Sequence, residues 1–447
     1  MRGMSYKATK LGVLLVLVAL LATAAVGQRR RGGGDWKAPP DPKLGKAAAE
    51  KQVLKAVSTG VKRLLEMQES DPRPKAGLDR AAGRGRGRGA RPDGTEKKEI
   101  ASKPWKAPKK GSEWPYEGVY TRGGACPPGY RVGGTAIACW SLMEAPGFKG
   151  DKKRQAAVMR GFEFIMHDVE LLPEMREADY QSYDVRGWGH TYALQALLVA
   201  MKRGAFDDKT QRRAKRVVKE CLELIGKLQL NNGGWNYANR GGAGGVSPFM
   251  TAPTVQALME AKAQGFEVPE ATVTKALDAL ESGRFADGAY AYSGVRRGGG
   301  KKQPDPKRTG TGAPAGSSAR SAAVETTLYL AGRGSVDRVR TAVEMFFEHW
   351  KWLDQRMRRN NTHIGPYGIA PYYFYYAHQY AAQAIEVLPE KERPAYRKKL
   401  RQHYWLNRDA DGVWNDRVFP RSSAYGTSTA ILGLMAPQME LPTPWKL

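Results

Sequence analysis

The sequence predicts an all-α protein built as an α6/α6 double-walled toroid, six outer and six inner helices with basic low-complexity segments near the N-terminus. Three observations predict it. A Gly-containing turn ending in an aromatic residue recurs, as Asn232-Gly233-Gly234-Trp235, Asp287-Gly288-Ala289-Tyr290 and Asp411-Gly412-Val413-Trp414. Looser versions lie at Glu113-Trp114-Pro115-Tyr116, Asp184-Val185-Arg186-Gly187-Trp188 and His363-Ile364-Gly365-Pro366-Tyr367. Two kinds of helical pattern alternate between these turns, and no strand-like alternation interrupts them.

In chain order, Arg2, Lys7 and Lys10 precede the apolar run Leu11 to Ala22 and small residues up to Gly27, the layout of a secretory signal over 1–27. Export to the periplasm, cell envelope or exterior follows as an expectation, with an N-terminal anchor as the outcome if the signal is not cleaved. Residues 28–46 read as a disordered basic leader. A first outer helix is expected at 47–68, and a disordered Arg/Gly/Lys-rich insertion at 69–112, containing the run Gly83-Arg84-Gly85-Arg86-Gly87-Arg88-Gly89. Residues 113–447 are then the remainder of the toroid. The formal net charge of +28 belongs partly to these basic segments, which could contact a polyanion; no specific nucleic-acid motif and no multi-pass membrane pattern accompany them.

Helices with a charged face are expected at 47–68, 152–167, 209–228, 270–282, 336–358 and 391–407. Helices rich in Ala, Thr, Ser and Gly are expected after the turns, at 133–145, 189–203, 251–264, 318–332, 371–388 and 424–436. Small side chains suit helices packed on both sides around an axis, whereas a charged stripe marks a ring that faces water. Aligning the second kind brings Thr135, His190, Thr251, Arg320, Phe374 and Thr427 into register, and the polar stretch 296–317 reads as a surface insertion. The motif glycines suit backbone angles closed to other residues, and the aromatics suit wedges between hairpins.

The string Gln229-Leu230-Asn231-Asn232-Gly233-Gly234-Trp235 resembles the Gln-to-Trp repeat of squalene–hopene cyclases and protein prenyltransferase β-subunits, and Arg160-Gly161-Phe162-Glu163-Phe164-Ile165 is similar to the start of that repeat. The resemblance covers most of 47–436 and implies the toroid fold of that superfamily. The chemistry it would imply is not matched: the cyclases' Asp-x-Asp-Asp motif is absent, and the nearest string is Asp409-Ala410-Asp411-Gly412. The prenyltransferase zinc set, with an Asp two residues before a Cys, is met by none of Cys126, Cys139 and Cys221. No cofactor or metal is expected. Three cysteines allow one intrachain disulfide at most, and Cys139 and Cys221 read as buried thiols.

The starts of the inner helices should line a central cavity. Asp184, His190, Glu325 and Asp416 are the candidate catalytic residues there, since acids and a His at such places could exchange protons or flank a sugar bond. Thr135, Trp188, Thr251, Arg320, Tyr372, Tyr376 and Tyr425 are the candidate cavity lining. The leading expectation is an exported ligand-binding or scaffold toroid whose cavity takes an apolar, isoprenoid-like ligand or a glycan. The alternatives are a divergent toroid enzyme, either a terpene-cyclase-like lyase or isomerase or a carbohydrate-active one, and a polyanion-binding envelope protein.

Overall fold

The computed structural model describes residues 38–69, 111–119, 126–177, 185–237, 245–293 and 309–445. The signal segment, most of the basic leader, the Arg/Gly run, Asp184 and the loop 294–308 lie outside the described residues. The chain divides into Met1–Pro40 and Asp41–Leu447, and the helices all belong to the second unit.

Thirteen α-helices and no strand occur among the described residues. They are α1 (Glu50–Met67), α2 (Pro128–Glu144), α3 (Lys152–Leu171), the one-turn α4 (Pro173–Arg176), α5 (Arg186–Lys202), α6 (Asp208–Leu228), α7 (Pro248–Ala263), α8 (Glu270–Ser282), α9 (Pro314–Leu330), α10 (Val336–Arg356), α11 (Tyr373–Val387), α12 (Arg393–Leu406) and α13 (Ser422–Met435). The inner six, α2, α5, α7, α9, α11 and α13, pack each against the next, and α13 packs back against α2. The outer six, α1, α3, α6, α8, α10 and α12, pack on α13, α2, α5, α7, α9 and α11 respectively. The inner ring is therefore closed, and the closing pair joins the last inner helix to the first outer one.

Composition explains the layering. Nearly every residue of α9 and α13 is buried, with Ala, Ser, Thr and Gly supplying most of the contact surface. The outer α6 buries only one stripe, from Ala214 and Val217 to Leu228. Three inner helices begin earlier than the pattern suggests because Pro128, Pro248 and Pro314 occupy the first helical position, where a missing N–H costs nothing. Residues 314–317, expected in the surface insertion, are consequently helical.

The recurring turn has one geometry. Gly233, Gly288 and Gly412 take φ values of 82°, 79° and 89°, the left-handed region that glycine enters without strain. The indole Nε1–H of Trp114, Trp235 and Trp414 donates to Leu64 O, Ile225 O and Tyr404 O of the preceding outer helix, at 2.7, 2.8 and 3.0 Å. Their backbone N–H groups donate to Thr135, Thr251 and Thr427 Oγ1 of the following inner helix, at 2.9, 2.9 and 3.1 Å. Each aromatic thus pins one outer helix to one inner helix. In the fourth repeat Tyr290 N donates to Ser317 Oγ at 2.7 Å, so the residue equivalent to the threonines is Ser317 and the expected alignment on Arg320 is one helical turn out of register.

The distance in sequence from carbonyl to indole is 10 residues in two repeats and 50 in the first. The extra chain leaves and returns through a closed neck: Glu69 N donates to Glu113 O at 2.8 Å and Ser112 N to Glu69 O at 2.6 Å. Arg160 fastens both sides of it, Nε to Gly111 O at 2.8 Å and Nη2 to Gln68 Oε1 at 2.5 Å. Because the neck is closed by bonds among the described residues, deleting residues 70–109 is expected to leave the melting temperature unchanged or slightly raised, measured by differential scanning fluorimetry. A drop of 10 °C or more would mean that the excised chain packs on the toroid.

No helix among the described residues is long and apolar enough to cross a membrane. The three cysteines are unpaired. Cys139 and Cys221 are buried, and Cys126, which the sequence does not place, donates its thiol to Tyr116 O at 3.5 Å while burial pushes its pKa up to about 12.

Candidate functional site

The turns bring four sequence-distant elements to the end of the barrel where the inner helices begin: Tyr116, the first turn of α5, the loop 357–372 and the loop before α13. Tyr116 packs at a tilt 4.2 Å from Tyr425 and 5.9 Å from Trp188, ring centre to ring centre. Gly133 makes room for Trp188, because a Cβ there would lie 2.3 Å from the indole. A second aromatic group, Phe249, Tyr372, Tyr373 and Tyr376, packs across the axis with centroid separations of 4.2 to 5.4 Å from Phe249. Arg417 joins the two groups, its guanidinium 6.0 Å from the Tyr116 ring and 5.6 Å from the Tyr372 ring.

Three polar groups form a chain inside the first aromatic group. Arg417 Nε donates to Tyr116 Oη at 3.0 Å, and Tyr116 Oη donates to Asp416 Oδ2 at 2.9 Å. Asp416 is fully buried, and its Oδ1 has no partner among the described residues. Burial raises its pKa to about 7 against the opposing field of Arg417. The carboxyl is therefore poised to carry or release a proton near neutrality. Arg417 Nη1 is also buried without a partner.

Arg320 is the second buried cation. It is 0% exposed, donates to the carbonyls of Gly316 and Tyr290 at 2.6 and 2.7 Å, and meets no carboxylate among the described residues. Its guanidinium lies 5.7 Å from the Tyr292 ring. Above it, His363 reaches the surface with its ring partly enclosed by Tyr292, Tyr372 and Tyr373, at 4.8, 5.9 and 6.3 Å. Its Nδ1 lies 2.6 Å from Gly368 O, an acceptor, so Nδ1 carries the hydrogen and Nε2 presents its lone pair to Tyr292 Oη and Tyr372 Oη, each 3.0 Å away. Burial, assisted by the fields of Arg320, Arg417 and Arg356, lowers the pKa of His363 and keeps it neutral at pH 7.

Chemically, the arrangement offers two cations without a direct ion pair to a carboxylate among the described residues, flat aromatic faces, an acid that titrates near pH 7 and a neutral imidazole hydrogen-bonded to two phenols. No group of three or more His, Cys, Asp or Glu suited to a metal ion occurs among the described residues.

The sequence-derived candidates fall into distinct places. Asp416, Trp188, Arg320, Tyr372, Tyr376 and Tyr425 belong to this cluster. Asp184 lies outside the described residues. His190 is buried with its Nε2 2.7 Å from Met175 O, and burial lowers its pKa to about 4; it ties α5 to α4. Glu325 lies between the layers, where Oε1 accepts from Arg284 Nε at 2.7 Å and Tyr290 Oη at 2.8 Å, and Oε2 accepts from Arg338 Nε at 2.8 Å. A Tyr in place of the repeat's Trp accounts for it: the phenol reaches beyond the helix carbonyls and needs an acceptor. Thr135 and Thr251, expected in the lining, spend their hydroxyls on the turn amides and hold the wall together.

Sequence reasoning did not single out His363, Tyr292 or Tyr116 as site residues. His363 and Tyr116 lie within the loose turn motifs, and Arg417 adjoins Asp416, but no periodic signal brings these positions together.

No protein-family model matches the sequence, and no curated protein matches it. Among solved structures, the chain is similar to the α-1,6-mannanase GH76A from Salegentibacter sp. HEL1_6, at 10% identity over 87% of this chain and 100% of that one, with a TM-score of 0.49. It is similar to the unsaturated glucuronyl hydrolase from Bacillus sp. GL1, at 11% identity over 70% and 96%, with a TM-score of 0.45. A possible member of the GH105 family from Klebsiella pneumoniae shares 11% identity over 91% and 99%, with a TM-score of 0.44. These likenesses concern the course of the chain and not its chemistry.

Proposed function

We propose that this toroid is a carbohydrate-active protein that binds an acidic glycan where the inner helices begin and exchanges protons with it there. The supporting observation is the pair Arg320 and Arg417, two buried guanidiniums that make no direct ion pair with a carboxylate among the described residues, Arg417 reaching Asp416 only through Tyr116, set beside Tyr292, Tyr372 and the exposed His363. In an aromatic, low-dielectric surrounding this pair attracts an anion, and a planar carboxylate suits the unpartnered Nη1 of Arg417. Tyrosine faces suit the apolar side of a sugar ring. In this reading His363 Nε2, released by the phenols, takes the proton next to the sugar's carboxylate while Tyr372 or Tyr292 gives one to the departing sugar oxygen, so that a C–O bond breaks, a C=C bond forms and the proton on the imidazole then returns to the phenolate. Export, expected from residues 1–27, and kinship with the squalene–hopene cyclase repeat, expected from the turn motif, are parts of the same proposal.

Isothermal titration with uronate-containing and uncharged oligosaccharides of equal length, followed by chromatography of the mixtures, tests it. Acidic oligosaccharides should bind and be altered, R417A should weaken binding at least 10-fold, and H363A should abolish the alteration while retaining binding. Acidic oligosaccharides that bind through Arg417 but are recovered unchanged would favour a ligand-binding toroid. Equal binding of uncharged chains, indifferent to R417A, would overturn the assignment.

A further inference from the structure

The opposite end of the inner barrel, where the inner helices finish, encloses a cavity of about 340 Å³. Small-molecule sites are of this size, roughly 300 to 1,000 Å³. None of the residues that form the acidic-ligand site lines it.

The inner helices contribute four carboxamides to its wall, Gln195 of α5, Gln256 of α7, and Gln379 and Gln383 of α11, and Gln438 adds a fifth from beyond α13. Gln256 and Gln383 satisfy one another, with reciprocal Nε2 to Oε1 bonds of 3.0 and 3.1 Å. The other two on the inner helices are incomplete. Gln195 donates to Pro253 O at 3.3 Å, and its Oε1 is buried without a partner. Gln379 is only 7% exposed, and its amide makes no hydrogen bond to the described residues. Buried amides are ordinarily paired, so two incomplete ones at one cavity indicate groups that a ligand would complete.

The charged groups at the rim are already engaged in ion pairs. Glu144 is paired with Arg203, and Glu260 lies 3.4 Å from Lys202 Nζ. An ion entering the cavity would have to displace one of these partners, and a wholly apolar molecule would leave the carboxamides unpaired. Trp140 adds an aromatic side chain to the wall. One side of the cavity is formed by Gln438 to Pro442, and this strap is fastened at several points. Thr443 Oγ1 donates to Glu260 Oε2 at 2.9 Å, Lys202 pairs with Glu440 at 2.7 Å, and Trp445 N donates to Leu330 O at 2.9 Å.

We propose that this cavity is a separate binding site for one or two units of an uncharged sugar, whose hydroxyls pair with Gln195 and Gln379 and whose ring lies against Trp140, with the strap closing over it. Carboxamides both donate and accept, which is what vicinal hydroxyls require, and the charged groups of the wall are engaged in ion pairs with one another. The site does not depend on the acidic-glycan reading of the other end.

Saturation-transfer NMR and titration of the full chain with maltose, cellobiose and gentiobiose, with farnesol as the apolar probe, test it. At least one disaccharide should bind, Gln379→Leu should weaken it 10-fold or more, and R417A should leave it unchanged. Gln195→Leu gives a second reading if Gln379→Leu fails to fold, and Thr443→Val with Glu440→Ala should speed dissociation by loosening the strap. Absence of binding by all three disaccharides, binding lost with R417A but kept in Gln379→Leu, or binding of farnesol alone would each overturn the proposal.

Discussion

Asp416→Asn is expected to make the protein more stable at pH 8 and nearly unchanged at pH 4. The folded carboxyl keeps its proton up to about pH 7, whereas the unfolded one releases it near the ordinary value of 3.8. Between those limits the folded state binds more protons than the unfolded, so stability falls as pH rises from about 4 to 7 and is level above. A shift of this size corresponds to roughly 4 kcal/mol. Asparagine is a neutral stand-in for the protonated acid, and its oxygen can still accept from Tyr116 Oη. Melting curves between pH 4 and 9 should therefore decline from about pH 4 to 7 and level off above for the natural protein, and remain flat for the variant. A parallel decline in both would show that Asp416 is ionised throughout.

The same titration should reach the ligand. With Asp416 neutral, Arg320 and Arg417 present two uncompensated positive charges; once it ionises, part of that charge is cancelled within hydrogen-bond reach of Tyr116. Affinity for an acidic oligosaccharide should accordingly drop as pH passes 7 in the natural protein and not in Asp416→Asn.

The toroid is legible because its wall repeats. Turn, glycine and aromatic recur at intervals that an unaided alignment can follow, and each has a local geometric cause: a positive φ, an indole bond to a helix carbonyl, a hydroxyl that takes the turn amide. At Arg320 the alignment of the inner helices is one turn out of register, because Ser317 takes the place of the threonines. A sharper local signal exists, the dipeptides Gly134-Thr135, Gly316-Ser317 and Gly426-Thr427. A Cβ on Gly134 or Gly426 would strike the carbonyl of Trp114 or Trp414 at 2.5 or 2.4 Å, so the glycine admits the turn that the next residue binds.

The site is less legible for the opposite reason. Arg417, Tyr116 and His363 come from connections that differ from repeat to repeat, and their proximity follows from closure of the ring rather than from spacing along the chain. Glu325 illustrates the converse: a buried acid in an inner helix looks catalytic in sequence, yet its position answers the substitution of Tyr290 for tryptophan.

Trp414→Ala tests whether the repeated aromatic is the fastening of the wall. The ring is fully buried, bonds Tyr404 O through Nε1, and lies 5.2 Å beneath the guanidinium of Arg408. Truncation leaves a cavity and an unpaired helix carbonyl, and Trp→Ala changes in cores cost about 3 to 5 kcal/mol. Trp414→Phe keeps most of the volume and loses the indole bond, so about 1 to 3 kcal/mol is expected for the unpaired carbonyl. The position also matters for closure, since the adjoining Gly412 sits against Thr59 of α1 and Asp411 pairs with Arg63. Urea unfolding should show a lower midpoint for both variants, larger for Trp414→Ala. A broken closure predicts more than a shift: the first outer helix should detach before the rest, giving hydrogen exchange in α1 that outpaces exchange in α6. If α1 and α6 lose protection together, ring closure and wall stability are one cooperative event, and the tryptophan acts through volume alone.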